Sequence, residues 1–386
     1  MRTMKKMLIV AMTISVCLGL SAKAYAAAEV DYTAGTCYEL AAEEKVSATY
    51  IGKAATDIFP LAIAPQQRSI FTSLHYSEVA IAIRNDGTVV TTGSNNRNQQ
   101  DGTDTWQYIV DVAYGFGVLF GLQYDGTIVA SESFAKLNPD MAAFDALQGA
   151  VAITATHQHL FGLMEDGTVA VARLHPHRQV RNTTALEVAQ WTDIVAFDTA
   201  GGHIVGLRAD GTVVAAGTYG VVGPFSPYAV DIPDTRLEVS QWQDIVDVAA
   251  GGTFTVGLVS DGTVVVTGSD ADGVYAAKDW TGIVAIAAGE RSVVGLKADG
   301  TVVAAGYNNE TERGYQTGWA GEGRADVSEF SDIVAIAAGY RIIGLRYDGT
   351  VVASGMNTGG DVTQLNYVYD VSGWYDIKLP GADTLE

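Results

Sequence analysis

Short apolar runs alternate with Gly-rich turns along most of the chain, and one unit reads clearly from Trp280 onward. Ile283 to Ala287 predicts a strand, and Ala288-Gly289-Glu290-Arg291 a turn. Val293 to Lys297 predicts a second strand. Thr301 to Ala305, rich in β-branched residues, predicts a third. Asp299-Gly300 between them predicts a two-residue hairpin, because both central positions of that turn favour positive φ. A variable segment follows, then a fourth strand ending near the next aromatic residue, as in Leu237 to Trp242. No helical periodicity runs through the unit.

The unit recurs. Asp-Gly-Thr begins at Asp86, Asp125, Asp166, Asp210, Asp261, Asp299 and Asp348, at spacings of 38 to 51 residues. Six copies have Gly four residues before the Asp, and the first has Ala82 there. Trp106, Trp191, Trp242, Trp280 and Trp374 each stand three residues before an Ile. Seven four-stranded antiparallel repeats of this length predict an all-β fold, a seven-bladed β-propeller. The Gly in strand two fits close approach between blades, and the Trp fits the wedge between them. Trp374 to Ile377 restarts the unit and stops, either as a strand closing the ring or as a loose tail. The domains expected are 1–26 (signal peptide), 27–65 (outside the repeats), 66–374 (propeller) and 375–386 (tail or closing strand).

The run from Asp332 to Gly355, with its Asp-Ile-Val-Ala-Ile-Ala-Ala-Gly and Asp-Gly-Thr-Val-Val-Ala-Ser-Gly stretches, resembles the regulator-of-chromosome-condensation repeat family. His159 and His203 stand where that family often has a His after Ala-Gly. The resemblance covers roughly 66–374 and implies the propeller; one fold hosts many functions. The family's founder acts on a small GTPase in the nucleus. The chain is also similar in repeat and in export to the secreted propeller-type β-lactamase inhibitors, which bind through loops on one face.

Charge and the N-terminus argue against the nuclear role. Arg2, Lys5 and Lys6 precede the uncharged apolar stretch Met7 to Leu20, and Ala24-Tyr25-Ala26 supplies a small-x-small cleavage pattern. This predicts a secretion signal cut near Ala27 and a secreted, extracellular protein without an anchor. Cleavage would remove four basic residues, leaving 19 against 44 acidic ones, a net charge of −25. Such a surface repels nucleic acid and favours solubility. Cys17 leaves with the signal, and Cys37 alone forms no intrachain disulfide.

Strand parity puts the Asp-Gly hairpins and the blade-to-blade links on one face. The strand 1–2 turns and the long strand 3–4 segments share the other, where specificity should reside. Two of those segments, 219–236 and 307–324, hold Tyr219, Phe225 and Tyr228, and Tyr307, Tyr315 and Trp319. The short turns add Tyr76, Tyr114, Phe116 and Tyr340. These aromatics are the candidate binding residues, whether for protein hot spots or for stacking on sugar rings. His157, His159, His175 and His177 are weak candidates for zinc. Asp270-Ala271-Asp272-Gly273 opens like a calcium loop and lacks the downstream acid. No nucleophile motif, phosphate loop or paired-carboxylate signature is present. The expectation is a non-enzymatic, cofactor-free monomer that binds an extracellular protein, first as an enzyme inhibitor. A glycan-binding, lectin-like module comes next and a hydrolase last.

Overall fold

The computed structural model describes residues 70–72, 79–93, 95, 98–137, 141–174, 187–200, 202–217, 235–306, 325–339, 341–354, 371 and 374–378. The described strands form seven three-stranded antiparallel sheets, each paired in chain order. Sheet 1 is Ile70–Thr72, Val79–Ile83 and Val89–Gly93; sheet 2 is Ile109–Gly115, Val118–Gln123 and Ile128–Ala130. Sheet 3 is Ala150–Ala155, His159–Met164 and Val169–Arg173; sheet 4 is Ile194–Ala200, His203–Arg208 and Val213–Gly217. Sheet 5 is Ile245–Ala250, Phe254–Val259 and Val264–Gly268; sheet 6 is Ile283–Ala288, Ser292–Lys297 and Val302–Gly306. Sheet 7 is Ile333–Ala338, Ile342–Arg346 and Val351–Ala353.

The middle strands are apolar runs because both of their faces are covered. His203–Arg208 is buried at every residue except its last. Seven apolar clusters lie between consecutive sheets. Sheets 4 and 5, for example, share Val205, Leu207 and Val213 with Ile245 and Val248. The tryptophans sit in these wedges as expected, and Phe330 and Leu147 take the same slot before sheets 7 and 3. The strand-two Gly serves a different contact from the one expected. A Cβ on Gly206 would lie 2.8 Å from Trp191 Cζ3, and one on Gly257 would lie 2.9 Å from Trp242 Cε3. The missing side chain makes room for the tryptophan of its own repeat, laid across its own sheet.

Two local expectations are corrected. The hairpin between strands two and three has three residues, not two. In sheet 6, Lys297 N–H donates to Thr301 O (2.9 Å) and Gly300 N–H to Lys297 O (3.0 Å). Gly300 has φ 78°, whereas the non-Gly residues of positive φ do not include Asp299. This is a type I turn closed by a left-handed Gly, and the Asp serves as an acceptor. Asp299 Oδ1 accepts from the backbone N–H and the hydroxyl of Thr301 at 3.0 and 2.6 Å.

The second correction concerns Leu237 to Trp242, which is not a strand. Thr235–Leu237 is a 3-10 turn, and Trp242 N–H donates to Val239 O at 2.9 Å. Trp191 to Val188, Trp280 to Ala277, Phe330 to Val327 and Trp374 to Val371 repeat that bond. An apolar residue and an aromatic spaced by three fall on one side of a helical turn, not of a strand. Residues before the aromatic slot therefore cap the wedge as turns.

The residue just before the first strand of each of sheets 2 to 7 is left-handed: Tyr108, Gly149, Asp193, Asp244, Gly282 and Asp332 have φ between 57° and 86°. The next residue then donates to the previous hairpin, as Ile194 N–H does to Gly167 O at 2.9 Å. Asp376 has φ 58° and Ile377 N–H donates to Gly349 O (3.3 Å), so residues after sheet 7 repeat the pattern. Ile377 bridges Arg84 antiparallel, and Lys378 N–H donates to Ile83 O at 2.8 Å. Ile194 pairs with Arg208 of sheet 4 in the corresponding register. The first strand of sheet 1 is thus begun by residues 376–378 and continued by Ile70–Thr72, which pair with Ala82 to Ala80. Trp374 and Ile377 share one cluster with Ala80 and Ala82 of sheet 1 and Ile343 and Leu345 of sheet 7.

Candidate functional site

The strand 1–2 turns stand shoulder to shoulder. Gly252 N–H of sheet 5 donates to Gly289 O of sheet 6 at 3.2 Å, and Glu290 N–H donates to Gly339 O of sheet 7 at 3.4 Å. A Cβ on Gly115 would lie 2.5 Å from Thr156 O, so the turns of sheets 2 and 3 meet as closely. Glycine here permits backbone-to-backbone approach.

Between those two turns lie Phe116 and His157. Phe116 adopts φ 52°, a region costly for a bulky residue. Its ring packs on the cluster between sheets 2 and 3, and the exposed His157 ring meets it edge-on at 6.2 Å. Tyr114, expected on the same surface, is different. It belongs to the first strand of sheet 2 and is 9% exposed, buried with Val79 and Ile81 of sheet 1. Parity misplaced it because the strand runs on to Gly115 and carries the ring into the wedge. Tyr76, Tyr219, Phe225, Tyr228, Tyr307, Tyr315, Trp319 and Tyr340 lie outside the described residues.

Two of the four candidate histidines are described. His159 begins the middle strand of sheet 3, buried, with its ring 5.7 Å from that of Phe161. His157 is exposed at the turn two residues earlier, and His175 and His177 lie outside the described residues. Among the described residues, no group of three or more His, Cys, Asp or Glu is placed to hold a metal ion. The calcium-like run is otherwise engaged: Asp270 Oδ1 accepts from Tyr275 N–H at 2.7 Å, and Asp272 pairs with Arg291. His203 bonds across to sheet 5, with Nε2 2.9 Å from Thr255 Oγ1. The Thr255 hydroxyl donates to Arg236 O at 2.8 Å. Its single proton is then committed, which makes His203 Nε2 the donor.

Sequence reasoning missed the buried polar groups of the innermost strands. Asp111 is wholly buried; its Oδ1 accepts from Val112 N–H (2.9 Å) and its Oδ2 from Ile153 N–H of sheet 3 (2.8 Å). Asp247 repeats this with Val248 (2.9 Å) and with Ile286 of sheet 6 (3.3 Å). Asp198 accepts from Ala250 N–H of sheet 5 at 2.9 Å. Thr154 and Thr199 join sheets 3 and 4 at 2.8 Å. The inner strands of sheets 6 and 7 offer only Ile, Val and Ala. The one available signal was the Asp two residues after the repeat's Ile, as in Ile109-Val110-Asp111 and Ile245-Val246-Asp247.

The hairpin side is chemically uniform. Each Asp of the seven hairpins accepts from the backbone N–H of its Thr. Bonds from the Thr hydroxyl and N–H hold the carboxyls of Asp86, Asp166, Asp210, Asp299 and Asp348 below the ordinary range. For Asp125 the backbone bond leads and the hydroxyl follows.

Residues 245–274, which contain the three strands of sheet 5, match the family described as the regulator of chromosome condensation (RCC1) repeat. No curated protein matches the chain. The ectodomain of the Physcomitrella patens receptor kinase CR4 is similar in structure, with a TM-score of 0.51 at 16% identity, over 76% of this chain and 75% of that one. The CRINKLY WD40 ectodomain of the Arabidopsis thaliana receptor kinase ACR4 gives 0.47 at 16% identity, over 75% and 95% of the two chains. Yeast RCC1 (Prp20), solved with Kap60, gives 0.45 at 15%, over 82% and 85%. No helix among the described residues is long and apolar enough to cross a membrane. Seven antiparallel sheets packed face to face form a propeller-like repeat architecture, and one of them matches the RCC1 repeat.

Proposed function

We propose that the chain is an exported, non-enzymatic scaffold that binds a protein partner through the face carrying its strand 1–2 turns. The seven sheets close into one ring and the C-terminal residues complete the first of them; the expected fourth strand in every blade does not hold, since residues 269–282 after sheet 5 form a 3-10 turn and no strand. The contacts of Ile377 and Trp374 with sheets 1 and 7 support that closure. The observation that carries the functional reading is the contrast between the two sides. The hairpins repeat one three-residue loop, while the opposite turns differ from sheet to sheet and hold Phe116 in a left-handed conformation beside His157. A ring fixed at backbone cost, with little freedom left to lose, suits a contact residue.

Trp319, Tyr315 and Phe225 in the long segments extend the surface. An enzyme of the extracellular space, bound as an inhibitor's target, is the partner class proposed. Signal cleavage near Ala27 leads there, and N-terminal sequencing of secreted protein checks it. The binding test is capture by the mature protein from secreted and envelope fractions, followed by titration of variants. Phe116→Ala and Trp319→Ala should each weaken binding by about 2 kcal/mol or more with little change in melting temperature. Thr263→Ala, on the hairpin side, should leave affinity unchanged. Loss from the Thr263 variant alone, or displacement of the partner by free sugars, would overturn the reading.

A further inference from the structure

The hairpin side is uniform in backbone but not in surface. Tyr108, Tyr124 and Tyr375 are 53%, 55% and 66% exposed, and all three lie there. Their backbones follow one another along the hairpins of sheets 1 and 2. Asp376, next to Tyr375, accepts from Asn85 N–H in the hairpin of sheet 1 at 3.1 Å. Gly87 of that hairpin lies against Tyr108, whose Cα is 3.0 Å from where a Cβ would stand. Tyr108 O accepts from Tyr124 N–H in the hairpin of sheet 2 at 2.9 Å. At the matching positions elsewhere, Thr192 and Gln243 precede the link aspartates and Ala209 and Ser260 stand in the hairpins, while Tyr347 in the hairpin of sheet 7 is partly buried. Neither the repeat nor the wedge packing accounts for three exposed rings here.

The surroundings select the occupant. The seven hairpin aspartates, with Asp193, Asp244, Asp332 and Asp376, are all exposed on this side. Among the described residues, the cations beside those hairpins are Arg84, Arg208, Lys297 and Arg346, each partly buried. Asp86, Asp125 and Asp376 border the tyrosines directly. A ring whose face is electron-rich, set among carboxylates, attracts ammonium or guanidinium groups. The same chain already makes such a contact: Lys278 Nζ stands 3.5 Å from the centre of the Tyr275 ring.

From the exposed rings and the acidic field around them, we infer that Tyr108, Tyr124 and Tyr375 make up a second docking surface, separate from the turn face, for a Lys- and Arg-rich segment of a partner protein. The aromatic rings give it a fixed address. The field of the whole face steers the segment towards it and makes association salt-dependent.

The test uses the mature protein and an acetylated twelve-residue peptide of Lys, Arg and Gly, with a Glu counterpart of equal length. Tyr108→Asn, which suits the left-handed backbone, is combined with Tyr124→Ser and Tyr375→Ser. The control with equal charge is Thr192→Ser with Gln243→Ser. The basic peptide should bind wild type and the control alike and lose tenfold or more in affinity for the tyrosine variant, all three melting together. Equal binding to the tyrosine variant would reduce the effect to net charge and overturn the site. So would equal binding of the acidic peptide, or capture by phosphatidylserine vesicles without binding of the basic peptide. Failure of the turn-face variants above would leave this result untouched, since none of their residues is involved.

Discussion

Replacing Trp374 with Ala removes the largest side chain from the wedge between sheet 7 and sheet 1. The ring is 4% exposed and clusters with Ile343, Leu345 and Val351 on one side and Ala80 and Ala82 on the other. A buried aromatic of this size removes roughly 150–250 Å² from water. At ~25 cal/mol per Å², that area is worth about 4–6 kcal/mol as an upper bound. Truncations of buried Phe and Trp cost about 3–5 kcal/mol, and the wedge walls are strands that cannot easily collapse into the gap. Trp191 is the internal standard, because it fills the same slot between sheets 3 and 4 and is 7% exposed. Trp374→Ala and Trp191→Ala should therefore lose similar stability, each about 3–5 kcal/mol. Urea unfolding followed by far-ultraviolet circular dichroism measures both, since fluorescence changes when the tryptophan is removed. The urea slope should be unchanged if both remain two-state. A Trp374 variant within about 0.5 kcal/mol of wild type, beside a Trp191 variant that loses several, would refute closure through the C-terminal residues.

Asp111→Ala should cost about 3 kcal/mol by urea unfolding, because it takes away two charge-assisted bonds to buried N–H groups of sheets 2 and 3; Asp111→Asn should recover part of that. The carboxyls of Asp86, Asp299 and Asp348 are held below the ordinary 3.8 by their Thr bonds, so their contribution is full above that value and is lost as pH falls through the lowered one. Asp299→Asn should flatten the acid limb of the pH–stability curve, and an unaltered limb would dismiss the hairpins as its source. Gly167→Ala should lower stability by about 1–2 kcal/mol from its left-handed conformation alone, and by more from the Cβ placed 3.1 Å from Asp193 Cα. A neutral change in melting would mean the link backbone can retreat.

The sequence by itself determined the number of repeats, three of the four strands expected in each and where the turns between those three fall, though not the length of the hairpin. Asp-Gly-Thr and the β-branched run after it are local chemistry: the Asp bonds its own Thr, the Gly takes positive φ, and the strands follow. The Trp slot was legible as a wedge filler for the same reason, its spacing from Ile being fixed within one repeat. What the strand-two Gly makes room for was not legible, because the Trp that fills it stands some 15 residues away in sequence and meets it only when the strands pair. Nor were the polar clasps of Asp111, Asp198 and Asp247, whose partners are backbone groups of the neighbouring sheet, about 39 to 52 residues on. Tyr114 and Tyr375 show the limit most plainly. Tyr114 read as a binding aromatic in a turn and Tyr375 as part of the run that restarts the unit, yet one is sealed in a wedge and the other stands exposed beside sheet 1. Burial is decided by which surfaces the assembled sheets cover, and that depends on contacts between residues nearly the whole chain apart, such as Arg84 with Ile377.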